Sequence, residues 1–359
     1  MKAAILESFG SPLTIGTLPD PTLGTGEVNV DVAATPILSY ASEVFSGARK
    51  YLLTLPVAPG CGAIGRVRAV GPDATHLVPG DWVFCDPTVR SRDDALNPDI
   101  TLQGWSARGE GGLRLQRHFH HGPFAEQMMV PTENALPIGP IEAAEAAAWC
   151  ALGTMVIPYG GLLAADLQAG ETVLVSGATG NFGSAAVAVA LAMGAGCVIA
   201  PGRNEKALED LARRFGPRVR TVKLQGDEEG DRQRMRQAAP GPIDCVLDIL
   251  PPAAAATVAR AAVMAVRPYG RVVLMGGVGM LGGAGLDLPY PWIMRSGITI
   301  RGQWMYPREA PLRLAALVRS GLLRLDEFVV TTFALGDANE AVAHAAANGG
   351  PFKMTVLLP

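Results

Sequence analysis

Thr-Val-Leu-Val-Ser-Gly-Ala-Thr-Gly-Asn-Phe-Gly, residues Thr172–Gly183, is the stretch that decides the fold. Thr172–Val175 is an apolar run rich in β-branched residues, which predicts a buried parallel strand. The glycine turn Ser176–Asn181 follows it, and the alanine-rich residues Phe182–Met193 predict a helix. Strand, glycine turn and helix in this order are the context in which a dinucleotide-binding turn occurs.

The glycines of this turn have separate physical tasks. Gly177 and Gly180 permit a tight turn and let bare backbone approach a pyrophosphate, and Gly183 lets the helix lie close to the strand. The free N–H groups at the start of the helix attract the phosphate charge. An ordinary tight turn between a strand and a helix is the alternative interpretation. The predicted cofactor-binding turn comprises Gly177, Ala178, Thr179, Gly180, Asn181, Phe182 and Gly183, with Ala178 where the common pattern has its first glycine.

Length and composition favour a well-buried enzyme-like protein. The chain has 359 residues, enough for two domains, and is 49% hydrophobic and 18% charged. A net charge of −3 gives no electrostatic basis for binding nucleic acid or an anionic membrane. The early Glu7 argues against a signal peptide, and no apolar run has the length of a membrane helix. Five scattered cysteines fit a reducing cytosol, so we expect a soluble, cytoplasmic protein.

The N-terminal part of the chain reads as short strands between turns. Glycine and proline punctuate it at short intervals, which predicts a compact β-barrel-like unit. Residues 86–121 contain no strong periodicity, so we predict a long irregular segment there, of the kind that often forms a lid or binding loop. The predicted strands are Glu27–Ala33, Ala63–Val70, Asp81–Phe84 and Phe124–Val130.

The character of the sequence changes near Ile141. Strands and helices alternate after the central strand, which predicts a parallel, doubly wound sheet. The predicted strands are Cys197–Ala200, Asp244–Asp248, Arg271–Met275 and Gly297–Arg301, and a last strand, Phe352–Leu358, returns to the first domain. The predicted helices are Glu142–Ala151, Gly161–Ala169, Glu205–Phe215, Ala253–Val266 and Pro311–Arg319.

Several motifs in one order resemble the medium-chain dehydrogenase/reductase superfamily over nearly the whole chain. They are Lys2-Ala3-Ala4, Gly26-Glu27-Val28, Pro59-Gly60 with Gly62 and Gly65, Pro79–Val83, Gly122–Glu126 and Ala169–Val175.

The resemblance implies an α/β fold with two domains and an active site in the cleft. The two implied domains are a GroES-like β-barrel catalytic domain, residues 1–153 and 306–359, and a doubly wound parallel-sheet Rossmann cofactor domain, residues 154–305. The chain is most similar to the zinc-free quinone oxidoreductase and enoyl reductase branch, which commonly uses NADPH.

In zinc alcohol dehydrogenases the catalytic metal is held by two cysteines and a histidine with a neighbouring glutamate. The resemblance matches these positions to Leu38, Cys61, which Gly62 follows, and Gly153. Cys61 alone cannot hold Zn²⁺, which needs about three protein ligands at a catalytic site. Only Cys85 lies near the region of the structural zinc, so we predict that both metals are absent.

A local imidazole cluster is the alternative metal site. His118, His120 and His121, together with Cys85 or Asp86, contain donor atoms that a metal ion accepts. No helical i,i+4 spacing and no second cysteine pair supports this, so we interpret the imidazoles as solvated or hydrogen-bonded.

The end of the strand after the glycine turn predicts the choice of nicotinamide cofactor. An NAD site has an acid here that binds the ribose hydroxyls and repels a 2′-phosphate. This sequence has Gly202, then Arg203, whose guanidinium suits phosphate, and Asn204 as a hydrogen-bond donor. We predict NADPH. Two alternatives stay open: Glu205 serves as the acid if the register slips, and Arg203 is an ordinary solvated side chain.

Further cofactor contacts are expected at neighbouring strand ends. Main chain there lines the nicotinamide half of the cofactor, and glycine permits close approach. By resemblance, two residues where the cofactor domain begins also touch the nicotinamide or its ribose. The predicted residues are Ile249, Leu250, Gly276, Gly277 and Val278 at the strand ends, and Thr154 and Tyr159 at the start of the domain.

Without zinc as a Lewis acid, a quinone or an α,β-unsaturated carbonyl is the easier small-molecule substrate, because conjugation spreads the new negative charge. A positioned hydroxyl then suffices as donor, and Tyr40 and Ser39, beside Leu38, are the candidates. The alternatives are that Tyr40 only packs, and that water completes the protonation. Three aromatic residues are predicted to face a flat substrate: Trp105, Trp304 and Tyr306.

Two other functions stay open at this stage. One is a zinc-dependent alcohol dehydrogenase or carbonyl reductase of the same fold, and the other is a non-catalytic NADPH-binding protein. The apolar stretch Gly297–Trp304 resembles the edge strand through which the superfamily pairs cofactor domains, so we expect a homodimer.

Overall fold

The computed structural model describes residues 1–359 and contains two compact units. The first unit comprises residues 1–153, 325–349 and 353–359, and the second comprises residues 154–324 and 350–352. The chain returns to the first unit at Leu325, whereas the sequence predicts the return at residue 306. The prediction was too early because Tyr306 and the buried Leu314 pack within the second unit.

Eighteen strands make up the sheets of the two units. In chain order they are β1 Lys2–Ile5, β2 Thr14–Thr17, β3 Glu27–Ile37, β4 Ala63–Val70, β5 Trp82–Cys85, β6 Thr88–Arg90, β7 Ile100–Leu102, β8 Ser106–Arg108, β9 Gln127–Pro131, β10 Ala135–Pro137, β11 Thr172–Ser176, β12 Cys197–Gly202, β13 Val219–Lys223, β14 Cys245–Asp248, β15 Arg271–Leu274, β16 Thr299–Gly302, β17 Val329–Ala334 and β18 Lys353–Leu358.

Eleven α-helices connect or cover these strands. They are α1 Ala41–Phe45, α2 Gly109–His118, α3 Ala146–Trp149, α4 Ala151–Ala164, α5 Asn181–Ala192, α6 Glu205–Phe215, α7 Glu228–Ala238, α8 Ala256–Val263, α9 Tyr290–Arg295, α10 Ala310–Arg319 and α11 Ala338–Asn348. Short 3-10 helices occupy Thr132–Asn134, Ala143–Glu145, Gly216–Arg218, Leu325–Glu327 and Leu335–Asp337.

The first unit is built on a seven-stranded sheet in the order β10-β5-β4-β3-β18-β17, with β9 also paired to β3. Alternate residues of β3 enter the core, where Val28 and Val30 pack with Val67 and Met128. Val28 and Val30 share one face because side chains alternate along a strand, and Glu27 and Asn29 on the other face are buried as well. The C-terminal strand β18 pairs with β3, so the end of the chain completes the first unit's sheet.

Residues 86–121 are more regular than the sequence predicts. The strands β6, β7 and β8 form a separate antiparallel sheet, and α2 follows it. A Cβ on Gly112 would overlap the backbone oxygen of Ile100, so this glycine lets α2 lie directly on β7. The prediction of one long irregular segment was wrong because strands of three residues are too short to show an alternating pattern.

The second unit contains a six-stranded sheet that is parallel throughout, in the order β13-β12-β11-β14-β15-β16. The quoted strand β11 lies at its centre, and Leu174, Val246 and Val272 are fully buried there. The strand order reverses between β11 and β14, and in doubly wound folds ligands bind at such a reversal. The predicted parallel sheet is therefore confirmed.

The helix before this sheet begins earlier than predicted. The sequence suggests a helix at Gly161–Ala169, but α4 spans Ala151–Ala164 and contains Pro158. Internal proline and glycine disfavour a helix in isolation, so burial decides the outcome here. Residues 143–164 form an apolar helical stretch of 22 residues that is mostly buried within the protein, as in a core helix.

Candidate functional site

The glycine turn has the geometry that close contact between a strand and a helix requires. Gly177 has a φ of +94°, in the region that favours glycine, and its carbonyl oxygen accepts a hydrogen bond of 2.9 Å from Gly180 N. A Cβ on Gly183 would overlap the Gly177 carbonyl oxygen. Gly183 is therefore the residue that brings α5 against the turn.

The first turn of α5 is left open toward the turn before it. Gly180 is the N-cap residue, and no side chain caps the helix. Gly180 is exposed, and a Cβ there would have as its nearest neighbour only Gly177 O at 3.4 Å. Backbone N–H groups at such a helix start bind anions, so this cradle fits the pyrophosphate of a dinucleotide.

Three strand ends are joined by backbone hydrogen bonds beside this cradle. Ile249 N donates to Ser176 O at 3.0 Å, and Gly277 N donates to Leu250 O at 2.8 Å. A Cβ on Gly177 would lie 3.2 Å from Ile249 O. The predicted cofactor residues Gly177, Ile249, Leu250, Gly276 and Gly277 therefore lie together at the carboxyl ends of β11, β14 and β15.

Asp248 is a buried carboxylate at the centre of this group. It is 3% exposed and accepts hydrogen bonds from the Ser176 hydroxyl and Leu250 N, while its Oδ1 has no partner. A Cβ on Gly276 would lie 2.5 Å from Asp248 Oδ2, so glycine is needed at that position. Burial raises the pKa of Asp248 to about 6. The sequence places this residue at a strand end but does not indicate its isolation from water.

Asp248 makes stability depend on pH in a defined direction. Because the pKa rises from 3.8 to about 6 on folding, the native state binds more protons than the unfolded state in that range, and stability is lost as the pH rises through it. We expect the free energy of unfolding of the wild type, relative to D248N, to fall by up to about 3 kcal/mol from pH 4 to pH 7. Urea denaturation at several pH values measures this, and a pH-independent difference would contradict it.

The end of β12 carries the residues predicted to select the cofactor. Gly202 is buried, and a Cβ there would overlap the Thr179 side chain, which brings the glycine turn and this strand end together. Arg203 and Asn204 are exposed. Asn204 Oδ1 is the N-cap of α6 and accepts from Ala207 N at 3.2 Å. Its oxygen therefore stabilises the helix, and only its NH₂ group remains for a ligand.

Lys223 is a cation at this strand end that sequence reasoning missed. It lies beside Gly202 in the register of β12 and β13. Its Nζ donates to Arg203 O at 2.8 Å and pairs with Glu205 Oε1 at 3.0 Å. The acid considered as a ribose ligand is thus neutralised by a lysine, and two cations flank the strand end. Only the strand register reveals Lys223.

The remaining predicted residues of this unit fall in two groups. Thr154 and Tyr159 lie on α4 and are 4% and 6% exposed. A Cβ on Gly161 would lie 2.6 Å from the Leu247 side chain, so α4 packs against β14. Val278 is half-buried in the loop after β15, whereas Trp304 is 43% exposed.

Tyr306 is 3% exposed and packs against Gly160, where an added Cβ would lie 2.6 Å from the Cβ of Tyr306. Within this unit it is a packing residue of α4, which does not support the predicted contact with substrate.

In the first unit Gly153, one of the positions matched to zinc ligands, and Gly62, which follows another, lie close to the ring of Phe84. A Cβ on Gly62 would lie 3.6 Å from Phe84 Cε2, and a Cβ on Gly153 would lie 3.8 Å from the same atom. Cys61 is half-buried, and burial, reinforced by the charge of Asp86, raises the pKa of its thiol to about 12. Leu38 and Gly153 carry no ligand atom, so this lone thiol falls short of the roughly three protein ligands that a catalytic Zn²⁺ requires.

The three histidines have separate partners. His118 Nε2 pairs with Glu27 Oε1, and His120 Nε2 donates to a backbone oxygen at 2.8 Å. His121 Nδ1 accepts from a backbone N–H at 3.2 Å, and burial, with a smaller effect of His120, lowers its pKa to about 4. No group of three or more His, Cys, Asp or Glu side chains is arranged to hold a metal ion. The imidazoles are hydrogen-bonded, as in the interpretation preferred from the sequence.

Tyr40 and Ser39 lie at the start of α1, where Ser39 is exposed and Tyr40 half-buried. The ring of Trp105 contacts that of Tyr40 edge-to-face, with centroids 5.8 Å apart, and also contacts Phe45. Trp105 is 2% exposed, so the prediction that it faces substrate was wrong. It fails because aromatic residues with polar neighbours in sequence are still buried when they fill a core.

Comparisons with known proteins agree with this architecture. Residues 24–140 match the family model for the alcohol dehydrogenase GroES-like domain, and residues 182–319 match that for zinc-binding dehydrogenase. The solved structure of alcohol dehydrogenase TADH from Thermus sp. ATN1 is similar over 100% of this chain and 99% of its own, with a TM-score of 0.82 and 22% identity. The predicted fold class, a GroES-like domain with a Rossmann-type sheet, is confirmed.

Curated relatives are similar over part of the chain. An alcohol dehydrogenase from Moraxella sp. (strain TAE123) is 31% identical over 196 residues, which cover 54% of this chain and 56% of that protein. An acryloyl-coenzyme A reductase from Metallosphaera sedula is 30% identical over 215 residues, which cover 58% of this chain and 60% of that protein. The chain thus spans less than two thirds of the length of these relatives.

Proposed function

We propose that this chain, which belongs to the medium-chain dehydrogenase/reductase superfamily, is a zinc-independent, NADPH-dependent oxidoreductase that reduces a quinone or an α,β-unsaturated carbonyl compound. Membership of the superfamily implies an oxidoreductase with a nicotinamide cofactor. The observation that carries the finer proposal is the donor set at the positions matched to zinc ligands.

Those positions lack the atoms that a catalytic zinc site requires. Leu38 and Gly153 carry no ligand atom, which leaves the Cys61 thiol as the single donor among them. The edge of the Phe84 ring lies within 4 Å of where a side chain would begin at Gly153, and also at Gly62, which follows Cys61. This set does not fit Zn²⁺, so the proposed reaction has no metal in it.

The proposed substrate class follows from the lack of a metal that could polarise a carbonyl. When bound, the reduced nicotinamide supplies a hydride to an electrophilic carbon. A conjugated carbonyl spreads the resulting negative charge toward its oxygen, where a neutral hydroxyl donor can hold it. In this chain Tyr40 presents such a hydroxyl, and burial raises its pKa, so it stays protonated. The acryloyl-coenzyme A reductase among the relatives acts, by its name, on a conjugated thioester of this class.

The glycine cradle and the β12 strand end support NADPH as the cofactor. Glycine lets the backbone at Gly177 and Gly180 approach a pyrophosphate, and Asp248 fixes the neighbouring strand ends. Arg203 and Lys223 give the strand end two positive charges, and the Glu205 carboxylate is already paired. A 2′-phosphate is favoured there over a bare ribose.

A second candidate is an alcohol dehydrogenase or carbonyl reductase of the same fold. The names of the relatives and of the matching family models favour it. We place it second because the positions matched to the zinc ligands of alcohol dehydrogenases carry a single donor atom, that of Cys61. A non-catalytic NADPH-binding protein is the outcome to consider if no substrate is turned over.

We also propose a cytoplasmic homodimer. The strand β16 forms one edge of the six-stranded sheet, and its residues are mostly exposed. An unpaired parallel edge of this kind is a template for pairing with a second copy. Sedimentation equilibrium would show two chains per particle.

The proposal predicts a specific pattern of turnover. We expect the purified, chelator-treated protein to oxidise NADPH in the presence of 1,4-benzoquinone or trans-2-hexenal, with kcat/KM at least about tenfold higher than with NADH. Cyclohexanone serves as the unconjugated control and should react far more slowly. Absorbance of the reduced nicotinamide measures all three reactions.

Zinc and binding controls separate the candidate functions. Added zinc should change none of these rates, and elemental analysis should find less than stoichiometric metal. Turnover of cyclohexanone that appears only with zinc would refute the proposal and favour the alcohol dehydrogenase. NADPH binding without turnover of any compound would refute it in favour of the non-catalytic protein.

A further inference from the structure

Three residues near the C-terminus pack within the second unit, although the chain on both sides of them belongs to the first. They are Gly350, Pro351 and Phe352, which lie between α11 and β18. Phe352 is fully buried and has a φ of +50°, a conformation that a residue with a large side chain rarely adopts. Because local preference opposes this conformation, contacts within the second unit must hold it.

The side chain of Phe352 is anchored at the end of α6. Its ring centroid lies 5.7 Å from that of Phe215, and the guanidinium carbon of Arg214 lies 5.0 Å from the same ring. Arg214 is itself held by Asp210, whose Oδ2 accepts a hydrogen bond from the Arg214 Nε at 2.7 Å. The ring of Phe352 therefore has a fixed place beside α6.

The backbone of the same segment is hydrogen-bonded to the start of α5. Phe352 N donates to Ser184 Oγ at 3.1 Å, and the Ser184 hydroxyl donates to Asn181 O at 3.0 Å. A second link runs from Asn181 Nδ2 to Gly350 O at 3.4 Å. Ser184 is fully buried, so the bonds that it makes are shielded from water.

The first of these hydrogen-bond chains ends on a peptide unit of the anion cradle. The Asn181 carbonyl shares its peptide unit with the Phe182 N–H, which in the first turn of α5 is one of the donors without an intrahelical partner. A carbonyl that accepts a hydrogen bond polarises its peptide unit and so strengthens the N–H as a donor. Phe352 and Ser184 therefore fix the orientation of this peptide unit and strengthen its N–H toward an anion.

We infer that Gly350–Phe352 is a clasp that positions the anion cradle, with Ser184 and Phe352 as positioning residues for the pyrophosphate of the cofactor. The inference rests on the proposed cofactor site. It adds two residues that a bound cofactor does not touch, because both are fully buried. With the clasp closed, the first turn of α5 is held in the orientation that receives the pyrophosphate. With the clasp open, this turn is free to move, and the cofactor binds more weakly.

Thermodynamic coupling makes the inference quantitative. If the closed clasp binds NADPH more tightly than the open one, NADPH must favour closure by the same factor. S184A removes the acceptor of the buried Phe352 N–H, so we expect the NADPH dissociation constant to rise about tenfold. That of NADH should rise equally, because both cofactors contain the pyrophosphate. In the wild type, NADPH should slow hydrogen exchange of the Phe352 amide about tenfold, and in S184A it should have little effect.

Two further variants accompany S184A. F352L keeps an apolar side chain but loses the ring contact with Arg214, so its NADPH dissociation constant should rise about threefold. V263A is the control: Val263 is fully buried in α8, so its truncation should lower the melting temperature without changing NADPH affinity. Calorimetric titration measures the dissociation constants. Mass spectrometry of a peptide that contains Phe352 measures the hydrogen exchange.

A merely structural role for the clasp would give another pattern. S184A and F352L would then lower the melting temperature, as V263A does, while the affinity for NADPH stayed that of the wild type, and the inference would be wrong. Exchange of the wild-type Phe352 amide at one rate with and without NADPH would also overturn it. If S184A weakens NADPH binding in a protein that reduces none of the test compounds, the proposed reaction fails while the clasp stands. A wild type that binds neither NADPH nor NADH would overturn both.

Discussion

Replacement of Gly183 by alanine is expected to weaken NADPH binding strongly and to destabilise the second unit. A Cβ at this position would overlap the Gly177 carbonyl oxygen, so α5 would have to move away from the turn or the turn would have to open. Overpacking of this kind typically costs about 1–3 kcal/mol. Alanine inside a helix would otherwise stabilise by about 0.5–1 kcal/mol, so the expected sign depends entirely on the overlap.

The same substitution should also weaken cofactor binding. The anion cradle consists of backbone groups of the turn and the first turn of α5, and both move when the two segments separate. We expect the NADPH dissociation constant of G183A to rise at least about a hundredfold, while the urea midpoint shifts to lower concentration. Fluorescence titration and urea denaturation measure the two effects.

The matched control is G180A. A Cβ on Gly180 would have Gly177 O at 3.4 Å as its nearest neighbour, which is an ordinary contact. Alanine is a poorer N-cap residue than glycine, so the stability of G180A should fall slightly, and by less than that of G183A. A G183A protein with wild-type stability and wild-type NADPH affinity would show that the close contact between turn and helix is not needed.

The sequence predicts the second unit well because its elements are long and their pattern is regular. Helix α6 spans Glu205–Phe215 as predicted, since its apolar residues recur on one face. Helix α7, Glu228–Ala238, is missed because charged residues dominate it and only Asp231 and Met235 are buried. Without an apolar periodicity, tertiary packing alone reveals such a helix.

The candidate site divides in the same way. The gathering of Gly177, Ile249 and Gly276 is predictable, because parallel strands bring their carboxyl ends to one edge of the sheet. The contribution of Lys223 is not. It depends on the register between β12 and β13, which leaves no periodic signal in the sequence.

The charges at the end of β12 should set the preference for NADPH. Arg203 is exposed at the strand end, and Lys223 lies beside Gly202 with its Nζ 2.8 Å from Arg203 O. A charged hydrogen bond to phosphate contributes about 1.5–3 kcal/mol. We expect R203A to raise the NADPH dissociation constant about tenfold to a hundredfold and to leave that of NADH within about twofold, because NADH has no 2′-phosphate.

Loss of the Glu205 charge should have the opposite effect on NADPH affinity. Its carboxylate pairs with Lys223 Nζ at 3.0 Å and competes with a phosphate for that cation. E205Q should therefore tighten NADPH binding a few-fold, while K223A should weaken it and remove the effect of E205Q when the two are combined. Because both side chains are largely exposed, these differences should shrink as the salt concentration rises.

The control for charge alone is R117A, which removes an exposed arginine from the first unit. Calorimetric titration with NADPH and NADH at two salt concentrations measures all of the variants. If R203A and K223A weakened both cofactors equally, the cations would act on the pyrophosphate that the cofactors share, and the basis for NADPH selection would be wrong. If a 2′-phosphate binds between Arg203 and Lys223, R203A and K223A should weaken the binding of NADPH but not that of NADH. E205Q should instead strengthen NADPH binding.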